Sequence, residues 1–165
     1  MVINLEPVFN NEGLFVPIDY TMDLASLSHS GTNPLSAPVR IFGSIKNTAG
    51  VVNLDALISF EYFAACDRCM KSTSKKYELP ITYTITRTPV NDENKDDEYI
   101  FTEDMKLQLE DVISENIILN LPNKFLCDED CKGLCPMCGH DLNTSQCNCK
   151  EPIDPRLLGL LQFLE

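Results

Sequence analysis

The cysteines constrain this chain more than any other feature, because six of the eight fall within one stretch, from Cys127 to Cys149. The other two, Cys66 and Cys69, form a separate Cys-x-x-Cys motif about sixty residues upstream. The later stretch contains Cys-Pro-Met-Cys-Gly at positions 135–139. Two thiolates at this spacing suit a tight turn that holds both sulfurs against one metal ion. Gly139 allows the chain to leave such a turn with a positive φ.

The surrounding sequence favours metal ligands over disulfides. The N-terminal residues show no leader peptide, and no window approaches the roughly 18 apolar residues of a membrane span. We therefore expect a cytoplasmic protein with no membrane partner. In the cytosol thiols stay reduced, so eight cysteines predict metal binding rather than disulfides or inert thiols. The predicted cofactor is Zn²⁺, in two structural sites.

The eight thiolates divide into two groups of four in more than one way. We prefer one site formed by Cys66, Cys69, Cys127 and Cys131 and a second formed by Cys135, Cys138, Cys147 and Cys149. The second group then closes with a short local loop. The alternative is a zinc ribbon, in which Cys66 and Cys69 share a metal with Cys135 and Cys138. Replacement of a thiolate by His140 is disfavoured, because His140 directly follows the turn.

The sequence does not predict an enzyme. It contains no glycine-rich phosphate loop, no Ser/His/Asp set and only two histidines. Four thiolates would fill a tetrahedral metal and leave no position for a catalytic water. No catalytic residue and no small-molecule substrate are expected. The enzymatic alternative is a thiol-disulfide redox protein that uses one of the Cys-x-x-Cys motifs.

The hydrophobic pattern predicts an α+β fold. Alternating segments at 39–47, 51–65 and 77–88 indicate a β-rich N-terminal body arranged as an antiparallel meander, with Cys66 and Cys69 at a hairpin tip. A main helix is predicted to begin at an N-cap at Thr102 and to end before Pro122. The C-terminal cysteine-rich zinc module follows, and then a short terminal helix that begins at Asp154-Pro155.

Charge and composition suggest two regions. We expect residues 1–101 to form the β-rich body with its hairpin knuckle, and residues 102–165 to pack on that body through the helix, the zinc module and the terminal helix. The formal net charge of −12 lies almost entirely in the second half, where residues 91–165 hold six basic and seventeen acidic side chains. Such a chain does not follow a phosphate backbone by bulk attraction, but it attracts basic partners.

The hairpin is nevertheless locally basic. Arg68, Lys71, Lys75 and Lys76 are possible RNA contacts, with tyrosines interleaved nearby, and a direct RNA-binding zinc protein is a second functional alternative. We favour the simpler interpretation that the lysines protect a strand edge and the aromatic residues belong to the core.

The cysteine tail resembles the C-terminal signature of the YceD family, which comprises bacterial and plastid proteins named for large ribosomal RNA subunit accumulation. The resemblance rests on residues 126–143, on Cys147-Asn-Cys149 and on Ile153-Asp-Pro-Arg-Leu157. Upstream, Cys66-Asp-Arg-Cys69 and the helix end at 115–122 are also similar. The resemblance therefore covers most of the chain.

The resemblance implies a role in ribosome biogenesis. The expected function is non-catalytic support of the synthesis, processing or stability of large-subunit (23S) ribosomal RNA. The implied partner is a large-subunit rRNA precursor or a basic large-subunit ribosomal protein. Some relatives lack the later four cysteines, which implies that the first group is the shared site and the second is separable.

Overall fold

The fold is taken from a computed structural model, which describes residues 1–28, 32–88 and 99–149. The predicted terminal helix, the acidic segment at 91–98 and His29 lie outside the described residues. Within the described residues, no helix is both long enough and apolar enough to cross a membrane.

The main element is a five-stranded sheet whose strands lie in chain order: β2 (Phe15–Met22), β3 (Val39–Thr48), β4 (Val51–Ala65), β5 (Ser72–Thr86) and β6 (Tyr99–Phe101). The first three strands pair antiparallel. Side-chain hydrogen bonds join Thr84 to Asn53 and Thr82 to Asp55, so β4 and β5 also run in opposite directions. The last strand, β6, pairs with β5 in parallel.

The predicted α+β class with a β-rich body is confirmed, and the meander accounts for β2 to β5. Strand β4 illustrates the cause, because its alternate residues Val52, Leu54 and Ile58 are buried while Leu57 faces outward. The β3–β4 turn consists of Ala49 and Gly50, which both have positive φ. This two-residue turn matches the twist of the strands that it joins.

Two short strands and two helices complete the fold of the described residues. Strand β1 (Val2–Asn4) pairs antiparallel with β7 (Lys106–Gln108), and helix α1 (Glu6–Asn10) follows β1. Helix α2 (Leu109–Asn120) ends just before Pro122, as predicted. It buries Leu109, Ile113 and Ile117, at the expected helical spacing.

The start of the main helix differs from the prediction, because Thr102 is not its N-cap. Its hydroxyl group donates to the carbonyl oxygen of Lys106 at 3.0 Å and accepts from the Lys106 amide at 3.1 Å. Thr102 therefore closes a turn that leads into β7, and the helix begins seven residues later. A threonine hydroxyl can serve a turn as well as a helix terminus, so the cap signal alone did not distinguish them.

The described residues form two compact units. The first, here called the sheet unit, comprises Met1–Ala64 and Thr73–Asn123. The second, here called the cysteine unit, comprises Ala65–Ser72 and the described residues from Lys124 onward. These units do not follow the predicted division at residue 101, because the hairpin tip groups with the later cysteines and helix α2 groups with the sheet.

Candidate metal centres

The first cysteine cluster brings together four residues of the cysteine unit: Cys66, Cys69, Cys127 and Cys131. Their sulfur atoms lie within 4.8 Å of one another. The Sγ–Sγ distance is 3.8 Å between Cys66 and Cys131 and 3.6 Å between Cys69 and Cys127. All four are free cysteines.

These distances fit a tetrahedral metal site. With metal–sulfur bonds of about 2.3 Å, tetrahedral geometry separates each pair of sulfurs by roughly 3.8 Å. A disulfide would require about 2.05 Å, so these sulfurs are spaced as ligands and not as bonded pairs. Soft thiolate donors favour zinc and other thiophilic metals.

The two central residues of the Cys66–Cys69 motif hold the downstream segment in place. The Asp67 carboxylate accepts from the Phe125 amide at 2.6 Å, and the Asp67 amide donates to the Phe125 carbonyl oxygen at 2.9 Å. The Arg68 guanidinium donates to the carbonyl oxygen of Cys131 at 2.7 Å. The spacer residues therefore position Cys127 and Cys131 opposite the hairpin tip.

The close approach at Gly133 belongs to the same arrangement. A Cβ atom at this position would lie 3.0 Å from the Arg68 carbonyl oxygen, and the φ of Gly133 is +78°. That carbonyl oxygen accepts from the Leu134 amide at 3.0 Å. Glycine is required here for its backbone conformation and for space.

The first cluster is largely buried, so the ionisation of its thiols depends on the hydrogen bonds around them. Burial raises the pKa of Cys66, but hydrogen bonds from the backbone amides of Cys127, Cys69 and Arg68 outweigh it and lower that pKa to about 6. Hydrogen bonds with Cys69 and Cys131 raise the pKa of Cys127 to about 12. The protein alone stabilises the thiolate of Cys66 and raises the pKa values of Cys69 and Cys127, so a bound cation would favour their ionisation.

The second cluster consists of Cys135, Cys138, Cys147 and Cys149, whose sulfur atoms also lie within 4.8 Å of one another. Cys135 is buried, Cys147 is half-buried, and Cys138 and Cys149 are exposed. Every ligand comes from one stretch of 15 residues, so this cluster is local in sequence.

The turn at 135–139 has the predicted form. The Gly139 amide donates to the Cys135 carbonyl oxygen at 2.8 Å, and the φ of Gly139 is +72°. Backbone amides of Cys138 and Met137 lower the pKa of Cys135 to about 6. The hydrogen bond with Cys138 raises the pKa of Cys149 to about 12. A bound cation would favour ionisation of these thiols as well.

The two groups are those preferred on loop-closure grounds. The crossed ribbon, with Cys66 and Cys69 joined to Cys135 and Cys138, is not formed among the residues that the structure describes. His140 belongs to neither group, and its Nε2 atom lies 2.8 Å from the Ser145 hydroxyl. If both groups bind metal through all four thiolates, neither retains an open coordination position.

The structure divides the four proposed RNA-contact residues. Lys75 and Lys76 are consecutive in β5 and so point to opposite faces of the sheet. Arg68 bonds to the Cys131 backbone, as described above, and Lys71 lines a cleft of about 400 Å³ with Asp128, Asp130 and Asp141. Their role in RNA contact stays a prediction.

Sequence reasoning missed the supporting residues of the first cluster. The sequence predicted Arg68 only as a possible RNA contact and gave Asp67 no role, although both form hydrogen bonds across the cluster. Asn143 was also missed, and its amide nitrogen donates to the Cys131 sulfur at 3.5 Å. The position of Asp67 and Arg68 between two ligands was the available signal, whereas the contact of Asn143 depends on the folded loop.

The fold and the clusters define a class of protein: a small α+β protein with two closed four-cysteine centres of metal-binding geometry. The sequence model of the YceD family, described as large ribosomal RNA subunit accumulation protein YceD, matches residues 54–164. The chain belongs to the YceD family. The resemblance predicted from the cysteine tail is therefore confirmed.

Three relatives illustrate the range of similarity. An uncharacterized protein of Mycobacterium tuberculosis is 30% identical over 101 residues, covering 60% of this chain and 49% of the relative. Bacillus subtilis YlbN, also uncharacterized, is 28% identical over 151 residues, covering 89% of this chain and 87% of the relative. An Arabidopsis thaliana protein is 23% identical over 144 residues, covering 70% of this chain and 45% of the relative. Its description is large ribosomal RNA subunit accumulation protein YCED homolog 1, chloroplastic.

These matches differ in extent. This chain spans about half the length of the mycobacterial relatives that it matches. No solved structure matches the chain.

Proposed function

We propose that this protein is a non-catalytic factor that supports the synthesis, processing or stability of large-subunit (23S) ribosomal RNA. Membership of the YceD family carries the ribosomal part of the proposal, and the description of the Arabidopsis relative agrees with it. The two four-cysteine clusters carry the non-catalytic part, because four thiolates would complete the coordination of a tetrahedral metal.

We further propose that the bound metal is zinc, with one ion in each cluster. Sulfur spacing and an all-thiolate donor set support this assignment. When bound, zinc would act as a structural crosslink. The chain's own contribution is to orient the ligands. Backbone amides of neighbouring residues donate to the sulfurs of Cys66 and Cys135, and Asp67 and Arg68 form hydrogen bonds to the downstream segment.

The proposed mechanism is scaffolding within the cysteine unit. Residues 65–72 come from the β4–β5 hairpin, whereas the other described residues of this unit begin at Lys124. Shared ligands and the Asp67–Phe125 and Arg68–Cys131 bonds would fix these two segments as one rigid surface. A rigid surface binds a partner with a smaller loss of conformational entropy.

For the partner, the charges favour a basic large-subunit ribosomal protein over direct contact with an rRNA precursor. In the sheet unit, a groove of about 590 Å³ runs beside α2, with Tyr83, Tyr99, Leu119 and Glu115 in its lining. Leu119 is 76% exposed, and α2 carries three acidic residues and no basic one. A groove lined by both polar and apolar side chains, with two tyrosines, beside an acidic helix suits a peptide with arginine or lysine among apolar residues.

Binding of zinc-loaded protein to large-subunit proteins and to 23S rRNA fragments tests this proposal. We expect binding to a basic ribosomal protein that weakens about tenfold in Glu115→Lys. Glu12→Lys, a matched charge reversal at an exposed turn of the same unit, should have little effect. In cells, depletion of the protein should lower the level of mature 23S rRNA. The proposal fails if zinc-loaded protein binds neither large-subunit RNA nor proteins nor pre-ribosomal particles.

The lowered pKa values of Cys66 and Cys135 favour the redox alternative as a second candidate, because reactive thiols have lowered pKa values. Metal coordination explains the same values, since metal ligands must also ionise. The two functions differ in the reactivity of the loaded protein. Zinc-loaded protein should resist alkylation at neutral pH, whereas rapid alkylation of one Cys-x-x-Cys motif with zinc still bound would support the redox function.

A further inference from the structure

Asn143 connects the two cysteine clusters. It lies between Cys138 and Cys147, in the loop that closes the second cluster. Its side chain nevertheless contacts the first cluster, because Nδ2 donates to the Cys131 sulfur at 3.5 Å. Cys131 is only 2% exposed, so this bond reaches a buried ligand. One side chain thus belongs by sequence to one cluster and by contact to the other.

Three further hydrogen bonds hold the Asn143 amide in this orientation. Its Oδ1 atom accepts from the Lys132 backbone amide at 2.7 Å, next to Cys131 in the chain. Its Nδ2 atom donates to the Asp141 carboxylate at 2.7 Å, and its backbone amide donates to the same carboxylate oxygen at 2.9 Å. The Asn143 side chain is therefore held through both Oδ1 and Nδ2, and these contacts orient Nδ2 toward the Cys131 sulfur.

The rest of the loop lies along the segment that follows Cys131. The Leu142 amide donates to the Gly133 carbonyl oxygen at 2.9 Å, and Leu134 and Asp141 form an isolated β-bridge. This pairing sets the position of Asn143, and the second cluster closes the same loop through Cys138 and Cys147. Loss of order in the second cluster would therefore release the Asn143 contact.

We propose that Asn143 is a positioning residue for the first cluster, and that metal held by the second cluster slows the loss of metal from the first. The inference rests on the proposed metal binding. A hydrogen bond to a thiolate orients it and stabilises its negative charge, as a charge-assisted bond does. Removal of such a supporting partner typically weakens metal binding by about 10-fold to 100-fold.

The test measures zinc loss from the first cluster in a segment that holds ligands of this cluster alone. Residues 65–72 contain Cys66 and Cys69 and no ligand of the second cluster. After addition of a chelator to zinc-loaded full-length protein, hydrogen exchange in this segment reports release from the first cluster. Mass spectrometry of the intact protein counts the zinc ions that remain.

We expect Asn143→Asp to retain two zinc ions and to lose the first-cluster zinc about tenfold faster. Asp keeps the acceptor for Lys132 and removes the donor to sulfur. Asn143→Ser removes the same donor without adding charge, and should act alike. Thr144→Val is the matched control, because the Thr144 hydroxyl donates to the Asp141 carbonyl oxygen in the same loop and does not contact Cys131. Its release rate should stay within about twofold of the natural protein.

Removal of a second-cluster ligand tests the coupling itself. Cys138→Ala should also accelerate first-cluster release about tenfold, although it removes no first-cluster ligand. Combined with Asn143→Asp it should be no faster than the faster single variant, because both act through one contact. Unchanged release in Cys138→Ala, or rates that multiply in the double variant, would overturn the proposal. Absence of zinc from the natural protein would overturn both this inference and the proposed zinc scaffold, whereas bound zinc without coupling would overturn the inference alone.

Discussion

The two cysteine clusters have the same number and type of ligands but different structural settings. The first joins residues 58 and 65 positions apart, and three of its four cysteines are buried. The second lies within 15 residues, and two of its four cysteines are exposed. Closing a loop of about 60 residues costs roughly 1.5 kcal/mol more than closing one of about 10. Metal at the first cluster therefore constrains the unfolded chain more strongly.

Cys66→Ser should produce the largest effect, because it removes a ligand of the first cluster. A serine oxygen cannot replace a thiolate at this position, so we expect the first zinc to be lost. Structural zinc contributes on the order of 10 kcal/mol to the folding of small metal-dependent modules. The cysteine unit should lose its protected amides, which hydrogen exchange over residues 65–72 and 124–149 would measure. An unchanged exchange pattern with two zinc ions retained would contradict this expectation.

Cys138→Ala should have a smaller effect and break the second cluster. We expect two zinc ions to fall to one, with the fold of the hairpin tip retained and its own zinc released faster. The zinc content of protein purified without added metal and its circular dichroism spectrum provide the measurement. If both zinc ions were lost and the hairpin tip unfolded, the crossed ribbon pairing would be favoured instead.

Substitution of a glycine beside each cluster compares their stability without removing a metal ligand. Gly133→Ala combines a positive φ with a contact against the Arg68 backbone and should cost about 2 kcal/mol or more. Gly139→Ala has a similar φ, but nothing lies within 4 Å of the added Cβ, so it should cost only about 1 kcal/mol. Chemical denaturation of the two zinc-loaded variants, compared with the natural protein, measures the difference. Equal losses would mean that the contact at Gly133 contributes nothing.

Lowering the pH should produce the smallest difference in metal release between the two clusters. The pKa values of Cys66 and Cys135, about 6, lie below the usual thiol value. These two thiolates therefore stabilise the folded protein fully when the pH is above the usual thiol pKa of the unfolded chain. This stabilisation is lost as the pH falls through about 6. For Cys127 and Cys149, with pKa values of about 12, the sign is reversed, and stabilisation is lost as the pH rises through about 12.

Since each cluster contains one lowered and two raised thiol pKa values, solvent exposure decides the order in which the clusters release metal. We expect the exposed second cluster to release its metal at a higher pH than the buried first cluster. A pH titration monitored by intact mass should contain a one-zinc species between the two steps. Simultaneous loss at a single pH in the Asn143→Ser variant would argue against separate clusters.

Local periodicity explains what the sequence predicted well. The strands β3 to β5, the apolar face of α2 and the second cysteine cluster each depend on spacing within a short segment. Sequence patterns of period two or of helical spacing report such features directly. The parallel pairing of β6 was not predicted, because the strand has only three residues and its partner is chosen by the fold.

The remaining differences arise from contacts between distant segments. Thr102 satisfies both a helix-cap pattern and a turn, and only the position of Lys106 decides between them. Arg68 was predicted as a possible RNA contact, and its bond to the Cys131 backbone could not be predicted from the sequence. The grouping of residues 65–72 with the later cysteines likewise requires knowledge of which thiols meet. Spacing cannot supply such information, because it describes neighbours along the chain.

The wide separation of the first-cluster ligands has a consequence for protein synthesis. Cys69 is translated 58 residues before Cys127. At about 5–20 residues per second, this interval lasts roughly 3–12 seconds. During that time the thiols of Cys66 and Cys69 have no partners and are available to oxidants or to other metals on the nascent chain. At the slowest of these rates, all four ligands of the second cluster are translated within about three seconds. The first cluster, which is the more buried of the two after folding, is therefore the one whose thiols are exposed longer during synthesis.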